Sequence, residues 1–193
     1  YAFLIWPHLK AQGYTHVMRM DDDSYLHSRI HFNIFDFMVL NDFKYAYRAI
    51  AEERMCRGLE PIVSAYLKLH KLEPKDPVYR EKVTVGFYNN FFVAELETFL
   101  TPPIADVLST IDFSNIMYLH RTNDLIIQST LVRVFLEPAQ IYYFHEFSYQ
   151  HTTNNPRTKC IQNGGIYRGS LSSTEDFARV CHEESAEYEG LAK

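Results

Sequence analysis

Short apolar and polar blocks alternate along the chain, and most fit one regular element. Thr15 to Met20 alternates in the manner of a buried strand and runs straight into Asp21, Asp22 and Asp23. Before it, Phe3 to Gln12 predicts the end of a helix, with Gly13 as its C-cap. After it, Ile34 to Leu40 predicts a helix, or a turn and short helix, stopped by Asn41 and Asp42, and Tyr45 to Ile50 a second strand. Glu60-Pro61 opens a helix with proline at its first position, running to about Leu72. Glu73 to Pro77 is a breaker-rich loop. Thr84 to Leu96 predicts strands around an Asn-Asn turn, and Pro102-Pro103 a helix start. Asn115 to Leu119 fits a strand or a loop. Asn123 caps a strongly periodic helix that Pro138 ends, and Gln140 to Phe144 predicts a further strand. From Thr152 the chain turns polar, which predicts a surface-wrapping tail with a terminal helix.

Strands alternating with helices predict an α/β fold with a mostly parallel or mixed sheet. In open α/β sheets ligands gather outside the carboxyl ends of strands. The three aspartates follow such an end.

Composition narrows the classes. The length of 193 residues suits a single domain, and 47% apolar content supports a sizeable core. Aromatics at 15% argue against disorder. A net charge of -5 gives no basic footprint for nucleic acid. No apolar run approaches the roughly 18 residues of a membrane span. The opening YAFLIWPHL, without Met or a polar lead-in, predicts a piece of a longer protein. Cys56, Cys160 and Cys181 lack zinc-site spacing; Cys160 and Cys181 could staple the tail, or all three could be free thiols.

Three adjacent carboxylates repel. At about 4 Å and an effective dielectric near 20, each like-charged pair costs roughly 4 kcal/mol. The fold must leave them in water or gather them with a cation. In an extended segment Asp21 and Asp23 share one side and Asp22 takes the other. Two carboxylates on one side suit a hard cation such as Mg²⁺ or Mn²⁺. A bare acidic triplet is also common in solvated loops.

The surrounding residues resemble those of glycosyltransferase family 15, the Golgi α-1,2-mannosyltransferases. Met18-Arg19-Met20-Asp21-Asp22-Asp23 and the later Phe35-Asp36-Phe37-Met38 match the family's W-R-V-E-P-D-V strand and Phe-x-Phe-Met segment. Asn90-Phe91, with Phe99 downstream, resembles S-N-F-E-I-G. Asn123-Asp124 through IYYFHEFSYQH resembles G-D-A-P-V-H-S-I followed by I-H-F-F-D-D-I-G-Y-x-H. The blocks keep family order and about family spacing. The resemblance implies a GT-A type fold with a mixed central sheet flanked by helices and part of its N-terminal portion missing. It would form a partial core over residues 1–151, with residues 152–193 as a tail packed on it. It further implies a metal-dependent, retaining transfer of mannose from GDP-mannose to a glycan acceptor. The site would lie in the lumen of the Golgi or secretory pathway, as part of a type II protein anchored only by a segment outside this chain.

Carried over residue by residue, Asp23 and His151 would bind Mn²⁺ or Mg²⁺, with Asp21 as metal or donor ligand. Asp22, Arg19, Arg121 and Tyr149 would face the donor, although each also suits a structural role. Two departures stand out. Asp22 replaces the family's proline, and His120 replaces the glutamate of the family's Y-Y-E-R segment, its candidate nucleophile. Asp124 at a helix start, where the dipole favours a carboxylate, could serve instead, as could Glu95 or Glu97. Helix capping is the equally simple role for Asp124. The rival reading is a non-catalytic relative that binds glycan or protein; a two-metal phosphohydrolase is weaker, because no second His/Asp cluster is evident.

Overall fold

The computed structural model describes residues 3–26, 29–53, 56, 58–82, 84–147, 149–151, 161–162 and 165–166. In chain order the elements are α1 (Ile5–Ala11), β1 (His16–Met20), β2 (Ser24–Leu26), α2 (Ile34–Leu40), β3 (Tyr45–Tyr47) and β4 (Ile50–Glu52). There follow α3 (Leu59–His70), β5 (Val85–Phe87), β6 (Phe91–Glu95), α4 (Leu96–Leu100), α5 (Ile104–Ser114) and α6 (Ile116–His120). The last are α7 (Asp124–Phe135), β7 (Ile141–Tyr143), β8 (Tyr149–His151), β9 (Ile161–Gln162) and β10 (Gly165–Ile166).

The central sheet has the order β1-β6-β3-β7. β6 runs antiparallel to β1 and β3, while β3 and β7 are parallel, so the sheet is mixed. The predicted α/β class holds. Period-two alternation divides its side chains between two cores. Phe91, Val93 and Ala46 face Met38 of α2 and Phe144. Phe92, Ala94 and Tyr45 face Trp6, Phe99 and the helical layer of α3, α5 and α7. Helix α7 runs through this second core, buried from Leu125 to Val134. Among the described residues no helix is long and apolar enough to cross a membrane.

Local chemistry explains most boundaries. The Asn33 side chain accepts from the Phe35 and Asp36 amides and starts α2. Asn123 does the same for α7 through the Ile126 amide at 3.1 Å. Helix α3 begins at Leu59, ahead of Pro61, because Gly58 takes a left-handed φ of 85°.

Two expectations change. The run from Tyr45 to Ile50 is two strands in separate sheets, since β4 pairs with β5. At the break the fully buried Arg48 donates to the Phe147 carbonyl at 2.6 Å and to the Tyr143 hydroxyl at 3.1 Å. It thereby holds the loop that leads into β8. The expected strands either side of the Asn-Asn turn are present as β5 and β6; β5 pairs with β4 and β6 enters the central sheet. Asn115 to Leu119 falls mostly in helix α6, bracketed by left-handed Asn115 and Arg121, with φ of 56° and 53°. The expected tail helix, Cys160 and Cys181 lie outside the described residues; within the tail, β9 and β10 pair antiparallel. Cys56 is a buried free thiol.

β5 lies directly on α7. The Phe87 amide donates to Ser129 Oγ at 2.7 Å, and Arg133 donates to the Val85 carbonyl. A β-carbon on Gly86 would meet Leu125 Cδ2 at 1.9 Å. Gly86→Ala is therefore expected to lower unfolding free energy by about 1–3 kcal/mol, the usual range for overpacking. A chemical denaturation curve checks this, and an unchanged midpoint would mean that β5 does not press on α7.

Candidate active site

The site begins where β1 ends. The chain leaves Met20 and closes a tight turn in which the Ser24 amide donates to the Asp21 carbonyl at 3.1 Å. The Asp21 amide donates to the Asn90 carbonyl at 3.0 Å, fixing the turn against β6. The aspartates thus lie in a turn rather than an extended segment, yet the expected split survives. Asp22 is exposed, while Asp21 and Asp23 are partly buried.

The turn feeds β2, which pairs antiparallel with β8 so that Ser24 lies opposite His151. This register delivers the imidazole to the carboxylates. His151 Nε2 lies 2.8 Å from Asp23 Oδ1 and 3.6 Å from Asp21 Oδ2. Ligand atoms of Asp21, Asp23 and His151 all fall within 4.8 Å of one another.

Two residues that the sequence reading did not assign to the site complete it. The Tyr88 hydroxyl is 3.0 Å from His151 Nδ1, and the two rings meet edge to face. The Asn90 amide nitrogen donates to Asp21 Oδ2 and lies 2.8 Å from His151 Nε2. Nε2 therefore faces a carboxylate that only accepts and an amide that only donates. No single protonation state of Nε2 suits both. A cation among Asp21, Asp23 and His151 would resolve the conflict, taking the Nε2 lone pair and both carboxylates. Two carboxylates and one imidazole suit a divalent metal ion.

Arg19 joins this cluster to α7. Its Nε donates to Asp21 Oδ1 at 2.8 Å and its Nη1 to Asp124 Oδ2 at 3.0 Å. Burial opposes the Arg19 charge, but Asp21 and Asp124 outweigh it and hold the guanidinium above its ordinary value. Asp124 opens α7, and Asn123 is the residue that caps it. One turn further on, Gln128 is fully buried, and neither amide atom has a partner among the described residues.

The other expected residues sit apart or are spoken for. Tyr149 is buried and its hydroxyl meets Ser24 Oγ at 2.8 Å; burial pushes its phenol well above the ordinary range. His120 ends α6 with its side chain exposed, and Arg121 follows, also exposed. Glu95 ends β6 at the opposite end from Phe91, about 13 Å away at the usual strand rise, and bonds Lys44 at 3.1 Å. Glu97 lies in α4 and pairs with Lys10 at 2.7 Å, so neither glutamate joins the cluster.

Residues 1–185 match the sequence profile of the glycolipid 2-alpha-mannosyltransferase family. The chain belongs to that family. It is 21% identical to the glycolipid 2-alpha-mannosyltransferase of Saccharomyces cerevisiae, over 97% of this chain and 46% of that protein. Among solved structures it is similar to the mannosyltransferase Ktr4p from S. cerevisiae, with TM-score 0.75 at 17% identity over 95% of this chain and 55% of that one. It is also similar to core-mannan synthase A from Aspergillus fumigatus in an Mn/GDP form, with TM-score 0.72 at 16% identity over 88% of this chain and 52% of that one. These likenesses bear out the GT-A type fold. The chain spans about half the length of the curated relatives it matches.

Tyr88→Phe removes the group that orients His151. Loss of such an outer partner is expected to weaken divalent-cation binding about 10–100-fold. Titration calorimetry with Mn²⁺ reads this directly, and wild-type affinity in Tyr88→Phe would show that Tyr88 does not orient the imidazole.

Proposed function

We propose that this chain carries the metal and donor site of a mannosyltransferase that moves mannose from GDP-mannose to a glycan hydroxyl with retention. The observation that carries the reading is the convergence of Asp21, Asp23 and His151 within 4.8 Å at the carboxyl end of β1. Support comes from relatives that are named mannosyltransferases and from a neighbour whose structure is an Mn/GDP form. The cation is Mn²⁺ in this reading, with Mg²⁺ as its substitute. The site faces the lumen of the Golgi or secretory pathway.

Bound among these residues, the cation would supply positive charge against the leaving diphosphate. The chain's own residues do the rest. Tyr88 fixes the His151 ring so that Nε2 faces Asp23. Asp21 divides its oxygens between Arg19 and the cluster. Exposed Asp22 and Arg121 are candidates for contact with the donor. A retaining transfer needs a carboxylate on the far face of the sugar, or a front-side route in which leaving group and acceptor share one face. His120 stands where the family carries its glutamate, and a neutral imidazole cannot stabilise an oxocarbenium-like centre as a carboxylate does. Asp124, the first residue of α7, is the carboxylate that Arg19 holds beside Asp21. We assign it that role.

The direct test is transfer of labelled mannose from GDP-mannose to a mannoside acceptor, with Mn²⁺ and with chelator. Transfer that chelator abolishes is expected; absence of both GDP and Mn²⁺ binding would sink the reading. Asp23→Ala should abolish transfer without a large fall in metal-free melting temperature, since it removes one of several crowded carboxylates. Asp124→Asn should cost turnover far more than stability, because Asn123 remains as the cap. Near-normal turnover of Asp124→Asn, measured beside its thermal melt, would return Asp124 to a structural role.

A further inference from the structure

We infer that Arg19 is a positioning residue that ties the Asp21 ligand to the Asp124 carboxylate, so that cation affinity and the placement of Asp124 depend on each other. The inference rests on the metal-site reading above. It goes further by giving Arg19 a function exercised through two carboxylates rather than through a donor phosphate.

The geometry is a fork. Nε is committed to Asp21 Oδ1 and Nη1 to Asp124 Oδ2, at 2.8 and 3.0 Å. The three side chains are 16%, 22% and 29% exposed, so water competes only partly for these bonds. Asp21 is gripped at both ends, because its Oδ2 accepts from the Asn90 amide. One carboxylate oxygen is thereby turned to Arg19 and the other to the His151 side. Arg19 itself sits in β1, in register with Phe92 of β6, so the fork is anchored in the sheet. A guanidinium holds two carboxylates in a fixed plane, whereas a lysine ammonium is a single point charge on a flexible stem.

The sign of the effect separates this from plain electrostatics. A positive charge beside a cation site repels the cation, so removing it should tighten binding. If Arg19 instead holds Asp21 in its ligating rotamer, removing it should loosen binding. Asp124, which is not a ligand in this reading, should influence the cation through Arg19 alone.

The experiment is Mn²⁺ titration of the protein, followed by electron paramagnetic resonance of free Mn²⁺, for wild type, Arg19→Lys, Arg19→Gln, Asp124→Asn, the double variant Arg19→Lys with Asp124→Asn, and Asp23→Ala. Circular dichroism accompanies each variant. Arg19→Lys is expected to bind Mn²⁺ about tenfold more weakly or worse, the usual loss when an outer-sphere partner goes. Arg19→Gln is expected to bind more weakly too, despite losing a positive charge. Asp124→Asn should weaken binding several-fold in the wild-type background and have no effect in Arg19→Lys, the non-additivity that marks a shared path. Should Arg19→Lys fail to fold, Arg19→Gln decides, since plain electrostatics predicts tighter binding there and the inference predicts weaker. Wild-type affinity in Arg19→Lys, tighter binding in Arg19→Gln, or unchanged affinity in Asp124→Asn overturns the inference while leaving the metal site standing. Equal Mn²⁺ binding by wild type and Asp23→Ala overturns the metal site, and the inference with it.

Discussion

Carboxylate repulsion at the end of β1 is the constraint around which this molecule is arranged. Asp21 and Asp23 face the same imidazole, and Asp124 approaches from another part of the chain. Like charges drawn together in a partly buried site repel unless partners are placed between them. The structure answers with directed partners rather than with distance. The Asp21 amide is tied to Asn90, the Asp21 carboxylate lies between Arg19 and Asn90, and Asp23 meets His151. A fold under no other demand would release these carboxylates to water, as it does Asp22.

The architecture serves that gathering. β6 lies between β1 and β3, so the residues that precede it, Tyr88 and Asn90, emerge beside the aspartate turn. The pairing of β2 with β8 carries His151 back from beyond β7. Arg48 steadies that return, its fully buried guanidinium bonded to the Phe147 carbonyl and lying 5.6 Å from the ring centroids of Tyr143 and Phe147. On the other face of the sheet, α7 is held by β5, and its first residue, Asp124, meets Arg19. Two cores, one per face, make both approaches rigid.

Membership of the mannosyltransferase family sharpens what is unusual here. His120 and Asp22 differ from the motifs that the sequence resembles, while Asp21, Asp23 and His151 converge within 4.8 Å. Asp124 is the carboxylate that Arg19 joins to this cluster, whereas Glu95 and Glu97 each pair with a lysine.

Elements marked by local chemistry were legible from the sequence. The Asn33 and Asn123 caps, the Asn41-Asp42 stop, and the alternation that runs into the three aspartates depend on neighbours a few residues away. The carboxylate pair Asp21 and Asp23 was legible too, whereas His151 was reached only through the family resemblance, since an isolated histidine in a polar stretch carries no such signal. What tertiary structure decided was everything set by pairing. Sequence could not tell that Tyr45 to Ile50 divides between two sheets, since that break depends on Arg48 finding Phe147 and Tyr143. Nor could it tell that Asn115 to Leu119 would fold largely into a helix between two left-handed residues. Tyr88 looks like an ordinary strand-flanking residue, and Arg19 reads as a donor contact, until the register of β2 on β8 and the entry of α7 bring His151 and Asp124 to them. Local rules act over a turn of helix or a step of strand, whereas a site is made where distant strand ends meet. That meeting is governed by sheet register and core packing, which no short stretch of sequence contains.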